Sequence, residues 1–462
     1  MDYISTRGQA PLLDFERATL RGLADDGGLY LPSSWPVLSH DEMHDLQGHS
    51  YPDLALCIIE KFTGDCLPGE ALRPLIDEAC ARFRHDAVAP VKQLDDRLFL
   101  MELFHGPTLA FKDYALQILG RLFQHFLVRR SQTCTILGAT SGDTGSAAIA
   151  GLKGLPAIEL FMLHPHNRVS GVQRRQMTTV LDDNIHNIAV EGTFDDCQNL
   201  VKSLFNDLDF KTAHSLSAVN SINWARIAAQ VVYYFRAALA LGAPEREISF
   251  SVPTGNFGNV LAGYVAKKMG LPIRKLIIGS NENDILTRFF ETGSMERRDV
   301  RTTLSPSMDI GISSNFERYL FELVDHDSDR LNGFMHEFQE NGRFEVGRDL
   351  LARARQDFSA YRLTDEDTRK DIKTTFDATG EIIDPHSIIG VSAARQEGFS
   401  DAPVVVLATA HPAKFPEAIR SALGFEAPLP AQLADLFALE ERCAHLPDCA
   451  ASLKRFIETT LA

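Results

Sequence analysis

One lysine in this chain sits where an amine can act as a nucleophile. Lys112 follows a Gly-Pro turn in the run FHGPTLAFKD at 104–113, with Leu109, Ala110 and Phe111 immediately before it. An exposed lysine is protonated at neutral pH and inert towards carbonyls. Apolar neighbours strip its solvation, lower its pKa and free the electron pair for Schiff-base formation. The same residues also suit a plain helix start, with Asp113 capping a helix predicted over 113–126. What decides between the two is the rest of the chain.

Three more stretches and one threonine carry chemistry. The turn PTGNFGN at 253–259 lies between a predicted strand and a predicted helix, so the N–H groups of Gly255, Asn256, Phe257, Gly258 and Asn259 converge on one point. That is a phosphate cradle. It lacks the Gly-Lys-Ser/Thr of a Walker A loop and the Gly-x-Gly-x-x-Gly dinucleotide spacing, and beside a Schiff-base lysine it suggests a phosphorylated aldehyde. The turn ATSGDTG at 139–145 occupies the same strand-to-helix position. Its hydroxyls and backbone N–H groups suit a carboxylate or a second phosphate, while Thr140, Ser141 or Asp143 equally suit helix capping. In NSINWAR at 220–226, Arg226 falls on the first turns of a helix, where a guanidinium can take phosphate bidentately; a capping serine and a surface arginine read the same way. Thr409 follows a wholly apolar strand and offers a neutral hydroxyl to a ring nitrogen, or simply to backbone.

The elements that must position these residues follow from the pattern of apolar runs. From about residue 91, short apolar runs end in glycine-rich turns and pass into helices, the sequence form of βα units on a parallel sheet. Strands are predicted at 133–137, 157–163, 185–190, 248–252, 274–278 and 403–407, and helices at 146–153, 194–206, 224–241, 259–269 and 316–324. This gives an α/β protein of two lobes, a large one over 91–132 and 216–427 and a small one over 133–215 expected to move when substrate binds. Residues 1–90, with helical patterns at 14–23, 51–62 and 68–84, read as a mostly helical N-terminal domain. Residues 328–358 read as polar and helical, and 428–462 as a helical C-terminal tail.

Composition excludes some classes. Lys plus Arg number 46 against 62 Asp plus Glu, a net charge of −16 with no basic run, which argues against nucleic acid and anionic membrane as partners. The seven cysteines are scattered without a Cys-x-x-Cys pair, so no zinc ribbon or disulfide framework is implied. With neither a secretory h-region nor a stretch of membrane-spanning length, the expected location is the cytoplasm.

Taken together, the motifs make the chain resemble the threonine synthases, pyridoxal-phosphate enzymes of the tryptophan-synthase-β fold type (fold type II), in their longer microbial and fungal branch. The likeness rests on YISTRG at 3–8, DGGLYLP at 26–32, FHGPTLAFKD at 104–113, ATSGDTG at 139–145, PTGNFGN at 253–259, TLSPSMDI at 303–310 and ATAHPAKF at 408–415, and so spans nearly the whole chain. It implies conversion of O-phospho-L-homoserine and water to L-threonine and phosphate. By the same likeness Lys112 holds the aldehyde of pyridoxal 5′-phosphate, residues 255–259 cradle its phosphate, and Thr409 faces its ring nitrogen. Ser141, Gly142, Asp143 and Thr144 meet the substrate carboxylate, and Ser221, Asn223 and Arg226 its phosphate. Two other readings share these motifs: a phospho-lyase on the same scaffold that releases 2-oxobutyrate, and a catalytically silent homologue used as a binding protein. His105 and His411 lie inside the motifs but suit packing or hydrogen bonding better than chemistry.

Overall fold

The computed structural model describes residues 1–399 and 401–462. The chain divides into two units, Met1–His105 with Ser221–Ala427, and Gly106–Asn220 with Pro428–Ala462.

The first unit is built on a six-stranded sheet ordered Phe358–Arg362, Ile273–Ser280, Ile248–Pro253, Val404–Ala408, Leu98–Glu102 and Val91–Gln93. Every neighbouring pair is parallel except the last. Its central strands, Ile248–Pro253 and Val404–Ala408, are buried at every position, as parallel strands covered on both faces must be. The helices Trp224–Ala240, Gly258–Lys268 and Ser387–Glu397 belong to this unit. Their inward faces are small where packing is closest: a Cβ on Gly263 would fall 2.7 Å from the Tyr234 ring.

The N-terminal residues belong to the same unit. They are mostly helical, with Phe15–Arg21, Tyr51–Thr63 and Gly69–Cys80, and add a two-stranded antiparallel ribbon of Tyr3–Ser5 and Tyr30–Pro32. Asp14 and Ser50 cap the first two of these helices through their side chains. The N-terminal helices and ribbon pack on the start of Trp224–Ala240, where the buried Trp224 meets the rings of Tyr3, Trp35 and Phe62 at 6.2, 5.8 and 5.8 Å. Tyr3 and Phe62, fully buried, each contribute about 2–3 kcal/mol.

The second unit carries a five-stranded, all-parallel sheet ordered Ala444–Pro447, Ile185–Glu191, Ile158–Pro165, Cys134–Ala139 and Leu216–Ser217. Here the architecture departs from the boundaries read in the sequence. The unit begins at 106, so it includes the lysine stretch and the helix Lys112–Arg129. That helix packs so tightly on Asp143–Leu152 that a Cβ on Gly120 would meet the Gly151 carbonyl oxygen at 2.3 Å. The C-terminal residues are part of it as well: Ala444–Pro447 extends the sheet, and Leu453 and Ile457 of Ala450–Leu461 lie in a core with Cys197 and Leu204. Among the described residues, no helix is long and apolar enough to cross a membrane.

Candidate active site

The residues singled out above fall into two sets, one in each unit. In the second unit, Lys112 is the first residue of its helix and is 9% exposed. The turn before it is held by Asp113, whose carboxylate accepts the Thr108 N–H at 2.9 Å and the Thr108 hydroxyl at 2.7 Å. Gly106 must be glycine for this, because a Cβ there would lie 2.5 Å from Asp113 Oδ2. Leu109 takes φ of 60° to complete the turn. Lys112 Nζ then lies 3.6 Å from Asp143 Oδ2 and 5.1 Å from the centre of the Phe111 ring.

Asp143 opens the helix that follows the strand Cys134–Ala139. In the turn between them, Thr140 Oγ1 accepts the N–H groups of Gly142 and Gly145 at 3.0 and 2.8 Å. Thr140 is therefore the capping residue of this loop, while Ser141 is exposed and Thr144 half-buried. Asp143 is buried and carries an interaction with a cation, which sets it apart from the three neighbours grouped with it in the sequence.

In the first unit, the turn after Ile248–Pro253 is fixed from outside. Ser313 Oγ donates to the Gly255 carbonyl at 2.7 Å and the Asn315 N–H to the Asn256 carbonyl at 3.1 Å. Phe257 adopts a left-handed φ of 62° and buries its ring against Phe316 and Phe358. With the carbonyls drawn away, the first N–H groups of Gly258–Lys268 are left without intrahelical acceptors, as at any helix start. Packing at the glycines is tight: a Cβ on Gly255 would meet Met308 Cα at 3.2 Å, and one on Gly258 would meet Asn315 Nδ2 at 3.1 Å, so a neighbour would have to give by a few tenths of an ångström. Asn259 accepts the Tyr233 hydroxyl on Oδ1 at 2.5 Å and the Tyr234 hydroxyl on its carbonyl at 2.8 Å, while its buried Nδ2 has no partner.

The 220–226 stretch divides in two. Asn223 uses both polar atoms on the fold, donating to the Thr19 carbonyl at 2.7 Å and accepting the Ala225 N–H at 3.1 Å. Ser221 is half-buried, its carbonyl taken by Asn315 Nδ2 at 3.1 Å. Arg226 is the reverse: it is 3% exposed, its Nε and Nη1 have no hydrogen-bond partner, and burial holds its guanidinium down to about 10. A buried cation left unpaired costs several kcal/mol, roughly what an anion would return on binding. Thr409 is buried at the end of Val404–Ala408, and its N–H donates to Ser387 Oγ at 2.8 Å.

The two histidines have structural partners. His105 Nε2 is 2.7 Å from Glu102 Oε2, and His411 Nδ1 accepts the Ala413 N–H at 3.2 Å. The sequence reading passed over Asn315 and Arg318, which organise the loops around the turn. It also passed over Gln173, which donates to Asp143 Oδ1 at 2.8 Å. Only the spacing of Asn315 and Arg318, at i and i+3 near a helix start, hinted at a shared face.

In the first unit, a tight glycine turn with an unpartnered buried donor at Asn259 suits the phosphate of a phosphorylated carbonyl cofactor, and in the second unit a buried lysine at a helix start suits its carbonyl. Comparison with known proteins agrees. Residues 2–80 match the family "Threonine synthase N terminus", 84–337 "Pyridoxal-phosphate dependent enzyme" and 387–457 "Threonine synthase, C-terminal". The chain is 50% identical to threonine synthase of Pseudomonas aeruginosa over 99% of its own length and 98% of that protein's. A crystal structure of pyridoxal-phosphate-bound threonine synthase from Brucella melitensis, 51% identical, superposes with a TM-score of 0.98 over 100% of this chain and 99% of that one. The yeast threonine synthase structure, 41% identical, does so with 0.95 over 100% and 98%. The chain therefore belongs to the threonine synthase family, pyridoxal-phosphate-dependent lyases of fold type II that serve threonine biosynthesis.

Proposed function

We propose that the substrate is O-phospho-L-homoserine, converted with water to L-threonine and inorganic phosphate. The observation that carries this reading is Arg226: a buried guanidinium with two unpartnered nitrogens asks for an anion, and a phosphorylated substrate supplies one. In this reading Lys112 carries the cofactor through Nζ. Residues 255–259 and the unpartnered Asn259 Nδ2 hold its phosphate, and Thr409 meets its ring nitrogen. The loop amides of residues 141–144 take the substrate carboxylate, and Arg226 with Ser221 takes the substrate phosphate. Asn223 acts by fixing the loop that presents them.

The cofactor supplies a conjugated electron sink for charge developing on the substrate carbons. Lys112 Nζ, displaced from the cofactor by the substrate amine, would be the group that moves protons: from Cα, then from Cβ, then to Cγ after the Cγ–O bond breaks and phosphate leaves with its electron pair, and last back to Cα once water has added at Cβ. Water adds at Cβ. The released phosphate, retained by Arg226, assists that addition; single-turnover trapping in which phosphate departs before water adds would refute this step. Thr409, a neutral partner, keeps the ring nitrogen unprotonated, so Thr409→Asp is expected to change both cofactor absorbance and product partition. Among the described residues the cysteines are free thiols, in keeping with action in the reducing cytoplasm, which fractionation of cells making the protein would check.

The test is product analysis of the purified protein with pyridoxal phosphate and O-phospho-L-homoserine. Threonine released in step with phosphate supports the proposal. Phosphate with 2-oxobutyrate and ammonia would make the protein a phospho-lyase, and no phosphate at all would overturn the substrate.

A further inference from the structure

The helix Gly171–Thr178 has no role in the scheme above, yet it touches both loops of the second unit that carry site residues. Gln173 donates from Nε2 to Asp143 Oδ1 at 2.8 Å, and Gln176 from Nε2 to the Thr108 carbonyl at 3.1 Å. Both glutamines are buried. The close approach of Gln173 depends on the backbone it faces: Gly142 has φ of 142°, and a Cβ there would fall 2.6 Å from the Gln173 carboxamide carbon.

The other side of this helix is anchored by the C-terminal segment. Arg174 and Arg175 pair with Glu441, Thr178 Oγ1 donates to the same carboxylate, and Arg175 Nη1 reaches the carbonyls of Leu436 and Leu439 at 3.3 and 3.1 Å. The Arg442 N–H adds a bond to the Thr178 carbonyl at 2.7 Å. The helix is thus a fixed platform for its two glutamines.

The Gln173 bond on Oδ1 restrains the Asp143 carboxylate, whose other oxygen lies 3.6 Å from Lys112 Nζ. The other nearby carboxylate, Asp113, accepts from Thr108 on both oxygens, and the cations of the Gly171–Thr178 helix are turned to Glu441. We propose that Gln173 is a positioning residue for Lys112, acting through Asp143: the donated N–H keeps the carboxylate ionised and aimed, and the aimed charge favours a proton on the lysine nitrogen. This rests on the reading of Lys112 as the residue that carries the cofactor.

The experiment follows visible absorbance of the cofactor-loaded protein against pH, which reports the proton on the nitrogen joining Lys112 to the cofactor. Asp143→Asn is expected to lower that midpoint by about one unit or more, and Gln173→Met, which matches the length of glutamine without its donor, by about half a unit. The double variant should match Asp143→Asn alone, since a residue acting only through Asp143 has nothing left to act on. Gln173→Leu replaces Gln173→Met should the latter not fold, with the same expectation. An unmoved midpoint in the Gln173 variant, or one whose shift adds to that of Asp143→Asn, would overturn the proposal. Borohydride reduction followed by peptide mapping separates the two layers: cofactor recovered on a lysine other than Lys112 sinks the underlying reading, whereas cofactor on Lys112 leaves the midpoints to judge Gln173.

Discussion

Arg318 donates from both Nε and Nη2 to the single backbone carbonyl of Tyr30, at 2.9 and 2.7 Å. Its Nη2 also reaches the Ile222 carbonyl at 2.6 Å, and its Nη1 reaches Asn315 Oδ1 at 2.6 Å. One buried cation therefore joins the N-terminal ribbon, the loop ahead of Trp224–Ala240 and the asparagine that pins the 255–259 turn. All three acceptors are neutral, and burial holds the guanidinium down to about 9. Arg318→Met would leave buried carbonyls unpaired at a cost of roughly 3 kcal/mol. The expected result is a lower urea midpoint for the whole first unit together with weaker cofactor binding. Unchanged midpoints would show that the ribbon holds without it.

Arg226 makes the opposite case. Its Nε and Nη1 are buried without partners, so the ligand-free fold carries a cost that, under the proposed function, binding of the substrate phosphate would remove. Arg226→Met is expected to stabilise the ligand-free protein by about 1–2 kcal/mol while lowering kcat/KM by about 100-fold or more, the loss of two charge-assisted hydrogen bonds. Thermal melting with added inorganic phosphate provides the check. Phosphate should raise the Tm of the wild-type protein and leave that of the variant unmoved, and a variant less stable than wild type without phosphate would contradict the argument.

These two arginines show what the sequence could and could not convey. Arg226 was legible because it sits in a polar run at a helix start, where anion sites recur. The βα units around 134–165 and 248–268 were legible too, since apolar run, glycine turn and helix follow in a fixed order. Arg318 was not, because within Phe316–Leu323 it reads as the polar face of an amphipathic helix. Gln173 lies in a polar helix whose value comes from what packs on either side of it, a long-range fact. The strand Phe358–Arg362, hidden at the end of a stretch read as helical, is an edge strand, mostly half-buried, and edge strands lack the continuous apolar signal of central ones. Ala444–Pro447, with half-buried and exposed residues alternating, escaped for the same reason.

That last strand gives the C-terminal residues a structural duty. Leu453 is 1% exposed in a core with Leu204, Cys197 and Leu137. Truncating it should cost what a buried leucine costs elsewhere, about 2–5 kcal/mol. Leu453→Ala is expected to lower the stability of the second unit, and hydrogen exchange should show the loss in Ile185–Glu191 and Phe194–Asn206 while leaving Ile248–Pro253 protected. Uniform loss across both units would mean that they unfold as one. No loss would mean that the C-terminal helix is dispensable.

His411 gives the protein a measurable acid sensitivity. Its Nδ1 accepts the Ala413 N–H, and its ring lies edge-on to Phe104 with centroids 5.4 Å apart. Burial holds it down to about 4 from an ordinary 6.5. Between those two values the unfolded chain binds a proton that the folded chain does not, so stability rises with pH across that window. The contribution is complete above about pH 6.5 and is lost progressively as pH falls towards 4. For a half-buried ring, about 1–2 kcal/mol should be lost between pH 7.5 and 5. His411→Asn keeps a side-chain acceptor for the Ala413 N–H and has nothing to titrate. Urea midpoints of both proteins at the two pH values isolate the effect, since carboxylates such as Glu102 and Asp309 titrate in each. The wild-type protein should lose more stability than the variant on acidification, and equal losses would assign the acid sensitivity to those carboxylates instead.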